Sequence, residues 1–398
     1  MSDPPRPPSV SPPEAPPAPP QLRGHLPVLD GIRGVAILMV MVHHLAILTP
    51  RTPLETWFMR VAQLGAHGVD LFFVLSGFLI TGILLDSRGS PGYFRRFYIR
   101  RALRIFPIYY AVLVVVFVVT PILHGLRDPA LGGLEILKLK APHAPWYFAY
   151  ASNIYFAIHN SFMIHELGPT WSLAVEEQFY LTWALVVAWL SPRRLRQACV
   201  GLIVAAAAWR IGLWQNASGW LVIWVSTFSH LDALAVGALI AGLLRPPGAA
   251  VRWLRRAALP LLALGLAVSL PLFLRGELRF DSGVFLCFGY PPLVFGMGAL
   301  LVLLLFSPPE SRLRRVFSSR LLGFFARYSY AMYLFHVPIS NWLSINVLTE
   351  ARLRALPGPV LLGQGLYFLL AGGLVCGAAW LSWRLFEGPI LSLKERWT

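Results

Sequence analysis

Charge and cysteine are both scarce in this sequence. Of 398 residues only 13% are charged, and acids are rarer than bases, 18 Asp and Glu against 34 Lys and Arg. So few charges cannot clothe an ordinary soluble domain of that length. The three cysteines, Cys199, Cys287 and Cys376, stand far apart, each within an apolar stretch, and read as small core residues instead of a disulfide framework. Metal-ligand spacing such as H-E-x-x-H is missing, and there is no G-x-S-x-G elbow, no Walker A loop and no G-x-G-x-x-G after a strand. Metal, serine-hydrolase and NTPase chemistries therefore have no support, and neither a bound metal nor a resident cofactor is expected. No internal repeat is visible, which weakens an inverted-repeat transporter. The net charge of +16 lies between long apolar runs and not on one basic domain, so nucleic acid is not an expected partner.

What is abundant is apolar: 57% of the residues are hydrophobic, 13% are aromatic, and the mean hydropathy is +0.62. A bilayer core of about 30 Å takes about 20 apolar residues per helix, so the chain reads as an all-α, polytopic membrane protein. Ten prolines in residues 1–20 make the segment 1–24 a disordered cytoplasmic tail, followed by a membrane domain over 25–390 and a cytoplasmic C-terminal tail over 391–398.

Apolar runs appear at 27–48, 66–85, 105–123, 146–160, 171–190, 197–214, 220–244, 257–274, 284–306, 323–348 and 359–386. Arginines cluster at Arg88–Arg104, Arg193–Arg196, Arg245–Arg256 and Arg312–Arg327. Short cytoplasmic loops retain Lys and Arg, and all four clusters share that side only if 146–160 does not cross. The expectation is about ten transmembrane helices with both termini cytoplasmic. The aromatic segment 146–163, with Asn153, His159 and Asn160, becomes a re-entrant or interfacial element.

Ionisable residues within spans are costly and are candidates for function. Asp70, Glu176, Glu177 and Asp232 fall inside runs, as do His43, His44, His230 and His336. At about 1.5 Å per residue, Asp70 lies roughly 22 Å and Glu177 roughly 20 Å from the inner ends of their helices, and His44 between roughly 16 and 27 Å. One shared layer of His44, Asp70 and Glu176 or Glu177 is therefore expected, with only one of the adjacent glutamates facing it. Arg33 and His44 are eleven residues apart and return to within roughly 20° of one helix face. Arg101 and Arg104, with Arg100, present guanidiniums on one face, suited to phosphate or to positive-inside topology alike. His44 suits an interhelical hydrogen bond or a general base, and Asp70, two residues after Gly68, an N-cap or a catalytic role. His230 and Asp232 cannot face each other on a helix and are assigned separate interhelical contacts. His336, just before Val337-Pro338, reads as a structural histidine in a kinked helix.

Five blocks carry a resemblance: Leu29–Gly34 with His44 eleven residues after Arg33; Gly68–Thr81; Phe97–Pro107 with Arg101 and Arg104; Thr170–Leu181 with Trp171, Glu176 and Glu177; and Tyr328–Pro338. In this order they resemble membrane-bound acyltransferase family 3, the sugar and antibiotic O-acyltransferases, from about residue 26 to 390. The resemblance implies a ten-helix enzyme of the bacterial cytoplasmic (inner) membrane. It would move an acyl group, often acetyl, from acyl-CoA as co-substrate to a hydroxyl of a carbohydrate or glycolipid acceptor. It implies catalytic roles for His44, Asp70 and Glu176, acyl-CoA binding by Arg33, Arg101 and Arg104, and support from His43, Glu177, Trp171, Asp232 and His336. His43 departs from the usual aromatic or aliphatic neighbour and leaves a paired imidazole open. No SGNH-type domain follows residue 390, so the stand-alone form is the one resembled. Two other readings remain at this point: a transporter of an acylated amphiphile with a proton-relay cluster, and a structural or sensory membrane protein.

Overall fold

The computed structural model describes residues 24–127, 133–245 and 248–392. The proline-rich segment up to residue 23 and the last residues, 393–398, lie outside them. Ten long helices build the body: α1 (Pro27–Leu45), α2 (Gly68–Asp86), α3 (Tyr93–Val114), α4 (Thr170–Trp189), α5 (Pro192–Gln215), α6 (Thr227–Leu244), α7 (Ala249–Arg275), α8 (Tyr290–Leu305), α9 (Arg320–Asn346) and α10 (Val360–Ser382). Among the described residues there is no strand. Among the described residues, eight helical runs are long and apolar enough to cross a membrane: α1, α2, α3, α5, α6, α7, α8 and α10 with their extensions. The other two, α4 and α9, have 20 and 27 residues, which at about 1.5 Å each is about 30 and 40 Å, but both carry charged side chains.

The segment 146–160 does not cross. It forms two short helices, Ala144–Phe148 and Ser152–His159, of five and eight residues. The third helix starts twelve residues earlier than its apolar run, at Tyr93, so Arg95, Arg96, Arg100, Arg101 and Arg104 sit on it and not in a loop. Arginine is a good helix former, and its long stem lets the charge reach water from a helix that continues past the apolar core. The run 220–244 is divided at Ser226, whose backbone is extended, into Trp220–Val225 and α6.

The helices alternate in direction. Gly31 of α1 meets Phe317, just ahead of α9, while Gly34 meets Leu322 and His44 meets His336 within α9, so the two helices run parallel. In α2 and α6, Gly77 meets Leu234 and Arg245 binds Asp86, again parallel. In α5 and α6, Arg210 binds Asp232 while Gly242 meets Arg196, which is antiparallel. Glycines allow these backbones to touch: a Cβ at Gly77 would lie 1.9 Å from the Leu234 carbonyl oxygen, and one at Gly237 1.9 Å from that of Val74. The alternation gathers the start of α1, α3, α5, α7 and α9 and the end of α2, α4, α6, α8 and α10 at one end of the bundle, where the four arginine clusters lie. Ser191 and Ser319 cap helix starts there, accepting from the amides of Arg194 and Leu322.

Candidate active site

Two adjoining cavities run through the bundle. The first, of 310 Å³, opens at the arginine end and is walled by α1, α2, α3, α4 and α9. Helical spacing builds it: Val69, Phe73, Ser76 and Ile80 from α2, and Ser172, Glu176 and Tyr180 from α4, recur every three or four residues. Arg33, Arg101 and Arg104 project into it, as do Glu176 and Glu177. Ser76 Oγ donates to Glu176 Oε1 at 2.6 Å and lies 2.8 Å from the Tyr180 hydroxyl, which donates to it in turn. The Arg101 guanidinium is 5.2 Å from the centre of the Tyr180 ring. Through Arg33, Arg101 and Arg104 this cavity joins a wider vestibule of 1000 Å³ that adds Arg100, Arg320, Arg327, Trp383 and Glu387.

The second cavity, of 120 Å³, lies toward the opposite end and is lined by His43, His44, His165, Trp171, Trp224, Phe280 and Tyr333, among others. His44 Nδ1 donates to the Val40 carbonyl at 3.0 Å. A carbonyl accepts only, so this bond assigns the proton to Nδ1 and leaves Nε2 with its lone pair. His44 packs edge-on against His43 at 4.7 Å and His336 at 4.6 Å between ring centres. His336 is fully buried, donates from Nδ1 to the Met332 carbonyl at 3.2 Å, and has a second ring nitrogen without a partner. Thus Arg33 and His44, placed on one face by their spacing, line successive cavities, and the histidine ahead of Val337-Pro338 sits beside His44.

The single expected layer is divided. Asp70 is fully buried and accepts from His67 Nδ1 at 3.0 Å and from the Tyr290 hydroxyl at 2.7 Å, with His230 Nδ1 at 3.5 Å. It makes no hydrogen bond to His44. Depth along a helix leaves rotation about its axis undetermined: Val69 faces the cavities, and one residue on, about 100° round, Asp70 faces α6 and α8. The two glutamates also correct the expectation that only one faces the site, since both Glu176 and Glu177 line the arginine cavity.

Asp232 is held by Arg210, at 2.6 Å from Nη2, and that guanidinium lies 4.6 Å from the Tyr290 ring centre. His230 is 2.7 Å from the Tyr290 hydroxyl and 2.5 Å from the Trp224 carbonyl, so it and Asp232 do make separate contacts. Trp171 lines the His44 cavity and lies 5.0 Å from the His230 ring. Arg210, His67, Tyr290 and Tyr333 were not singled out in the sequence. Arg210 had a signal, an arginine inside the apolar run 197–214, and Tyr333 stands within the Tyr328–Pro338 block; Tyr290 had none beyond its place in an aromatic-rich stretch. Among the described residues no group of His, Cys, Asp and Glu is arranged to hold a metal ion.

The family described as an acyltransferase domain, acyltransferase family 3, matches residues 26–384. The chain belongs to that family. The acyltransferase match covers all ten long helices, the His44 cavity and the lining of the arginine cavity apart from Gly24 and His25. "Peptidoglycan O-acetyltransferase OatA" of Listeria monocytogenes is 30% identical over 339 residues, 80% of this chain and 50% of the relative. "Putative peptidoglycan O-acetyltransferase YrhL" of Bacillus subtilis is 35% identical over 195 residues, 46% of this chain and 28% of the relative. "Putative O-acetyltransferase SACOL0978" of Staphylococcus aureus is 25% identical over 334 residues, 80% of this chain and 51% of the relative. This acyltransferase chain therefore spans about half the length or less of the curated relatives it matches. No solved structure matches it.

Proposed function

We propose that this acyltransferase-family chain is a multi-pass enzyme of the bacterial cytoplasmic membrane. It takes an acyl group, acetyl by the names of its relatives, from acyl-CoA at the arginine end and passes it to a hydroxyl of a glycan, of the peptidoglycan class, at the other end. The observation that carries this reading is the contact between the arginine-lined cavity and the His44 cavity: Val69 and Tyr333 line both. The positive-inside rule puts the arginine end in the cytoplasm, where CoA thioesters are made.

In this reading Arg33, Arg101 and Arg104, with Arg100 and Arg327 at the vestibule, hold the CoA phosphates by charge-assisted hydrogen bonds while the pantetheine arm lies along the cavity between α2, α4 and α9. The rise from Arg33 to His44 along α1, about 16 Å, is the distance the arm spans. His44 Nε2 takes the proton of the acceptor hydroxyl, the oxygen attacks the thioester carbonyl, and the carbon–sulfur bond breaks. The proton returns from His44 to the departing sulfur, so ester and free CoA thiol are the only products. Val40, through its carbonyl, keeps His44 in the reactive tautomer. Glu176, held by Ser76, balances the arginine charge in the donor cavity, and Asp70 acts at one remove by fixing His67, Tyr290 and His230 behind the wall of the His44 cavity.

The test is release of free thiol from acetyl-CoA by the protein in nanodiscs, beside His44→Ala and an Arg101→Gln/Arg104→Gln double variant. Wild-type release that falls about 10²–10⁴-fold in a His44 variant of equal thermal stability supports the reading. A wild type that neither binds nor consumes acetyl-CoA or longer acyl-CoAs sinks it and favours a transporter of acylated amphiphiles.

A further inference from the structure

We propose that Tyr333, with Val69 opposite, determines which acyl groups reach His44; the inference rests on the acyl-transfer reading above. Among the described residues these two alone line both the 310 Å³ arginine cavity and the 120 Å³ His44 cavity. Val69 and Tyr333 thus stand between the two cavities, and on the proposal an acyl group moving from one to the other must pass them. The donor cavity is more than twice the size of the chamber beyond it, so size selection falls at the junction and in the smaller chamber and not at the entrance.

Tyr333 is built as a fixed wall. It is 7% exposed, its hydroxyl donates to Ser172 Oγ at 2.6 Å, and that hydroxyl lies 3.1 Å from the Pro169 carbonyl. Ser172 donates to the same carbonyl at 3.1 Å, so both hydroxyls are tied to the start of α4. The ring leans on His336 at 5.5 Å and Phe72 at 6.4 Å, and His336 in turn touches His44. A phenol bonded at its tip and packed against two rings cannot swing aside for a longer chain without losing its hydrogen bond to Ser172. Val69, from α2, is a stiff β-branched side chain that completes the passage. On the proposal the short acetyl group is accommodated at this junction, and each added methylene must find room beside the phenol and the valine.

The experiment compares kcat/KM for acetyl-CoA and butyryl-CoA, by thiol release in nanodiscs, in wild type, Tyr333→Phe, Tyr333→Ala and Val69→Ala. Wild type is expected to favour acetyl. Because one methylene is worth about 10–200-fold in a fitted pocket, Tyr333→Ala should lower the acetyl-over-butyryl ratio at least about 10-fold. Tyr333→Phe, which keeps the bulk and loses the tie, should lower it less, and Val69→Ala, which opens the passage from the other helix, should lower it independently of whether the Tyr333 variants fold. A merely structural role would change both substrates together and leave the ratio alone. A wild type that turns over both thioesters equally, or a ratio unmoved in both alanine variants, overturns the proposal while leaving acyl transfer intact. A wild type that consumes no acyl-CoA overturns both.

Discussion

One of the tightest approaches of two long helices, that of α2 on α6, is also easy to perturb. A methyl group at position 77 would sit 1.9 Å from the Leu234 carbonyl oxygen and 2.7 Å from its carbonyl carbon, where an ordinary contact is 3.4 Å or more. The obstacle is backbone, so no rotamer relieves it, and α2 and α6 must separate by about 1.5 Å at that point, the difference between the two distances. Overpacking of this kind costs about 1–3 kcal/mol. Alanine's better helix propensity returns up to about 1 kcal/mol. At about 2 °C per kcal/mol for a chain this large, Gly77→Ala should lower the melting temperature in nanodiscs by a few degrees. Activity should fall further than stability. Gly77 follows Ser76, the donor to Glu176, and α2 also carries Asp70 and Val69, so a shift of an ångström or more at this site should cost about 10²-fold in thiol release. Gly201→Ala is the control: its methyl would meet nothing within 4 Å, and it should be neutral or stabilising by about 0.4–1 kcal/mol. If Gly77→Ala melts with or above Gly201→Ala at full activity, the tight α2–α6 contact is not how the site is held.

The buried pair Arg210–Asp232, 1% and 2% exposed, predicts a sign pattern: Asp232→Leu alone should cost about 3–5 kcal/mol by leaving a buried unpaired guanidinium, whereas Arg210→Met/Asp232→Leu together should recover most of it in the same thermal assay. Equal losses in single and double variants would refute the pairing. Arg101→Gln and Arg104→Gln should each raise KM for acetyl-CoA about 10–100-fold, the equivalent of one charged hydrogen bond of about 1.5–3 kcal/mol, and reduce the salt dependence of binding; a change in kcat alone would argue against phosphate contacts. On the opposite face, burial pulls Glu350 upward, but hydrogen bonds from Arg354 and Thr49 outweigh it and hold the carboxyl below its usual range. A depressed value in the folded state means that this clasp contributes at neutral pH and is lost only as the pH falls through that lowered value. Amide exchange over Thr49 and 349–355 should therefore accelerate in acid in wild type and be fast and pH-insensitive, after correction for intrinsic exchange, in Glu350→Gln; flat protection in wild type would contradict it.

Much of the fold is legible in the sequence because its causes are local. Apolar runs of membrane length mark the long helices, arginine clusters mark one end of the bundle, and a segment interrupted by Asn and His at 153–160 fails to cross. Helix ends were less legible: α3, α5 and α7 all begin before their apolar runs, because arginines prolong a helix that hydropathy alone would stop. The Arg33–His44 spacing placed both on one face, and Arg101 and Arg104 on a common face, since a helix has a fixed period.

The blocks of motif residues likewise pointed to the acyltransferase family before any contact was known. Tertiary structure decided the partners. Whether Asp70 faces His44 or Tyr290 depends on the rotation of α2, which the glycine contact with α6 sets. That His336 touches His44, 292 positions away, follows from the parallel packing of α1 on α9, and that Tyr333 stands between two cavities follows from its tie to the start of α4. Sequence periodicity determines which residues share a face of one helix; only the packing of several helices determines what that face meets.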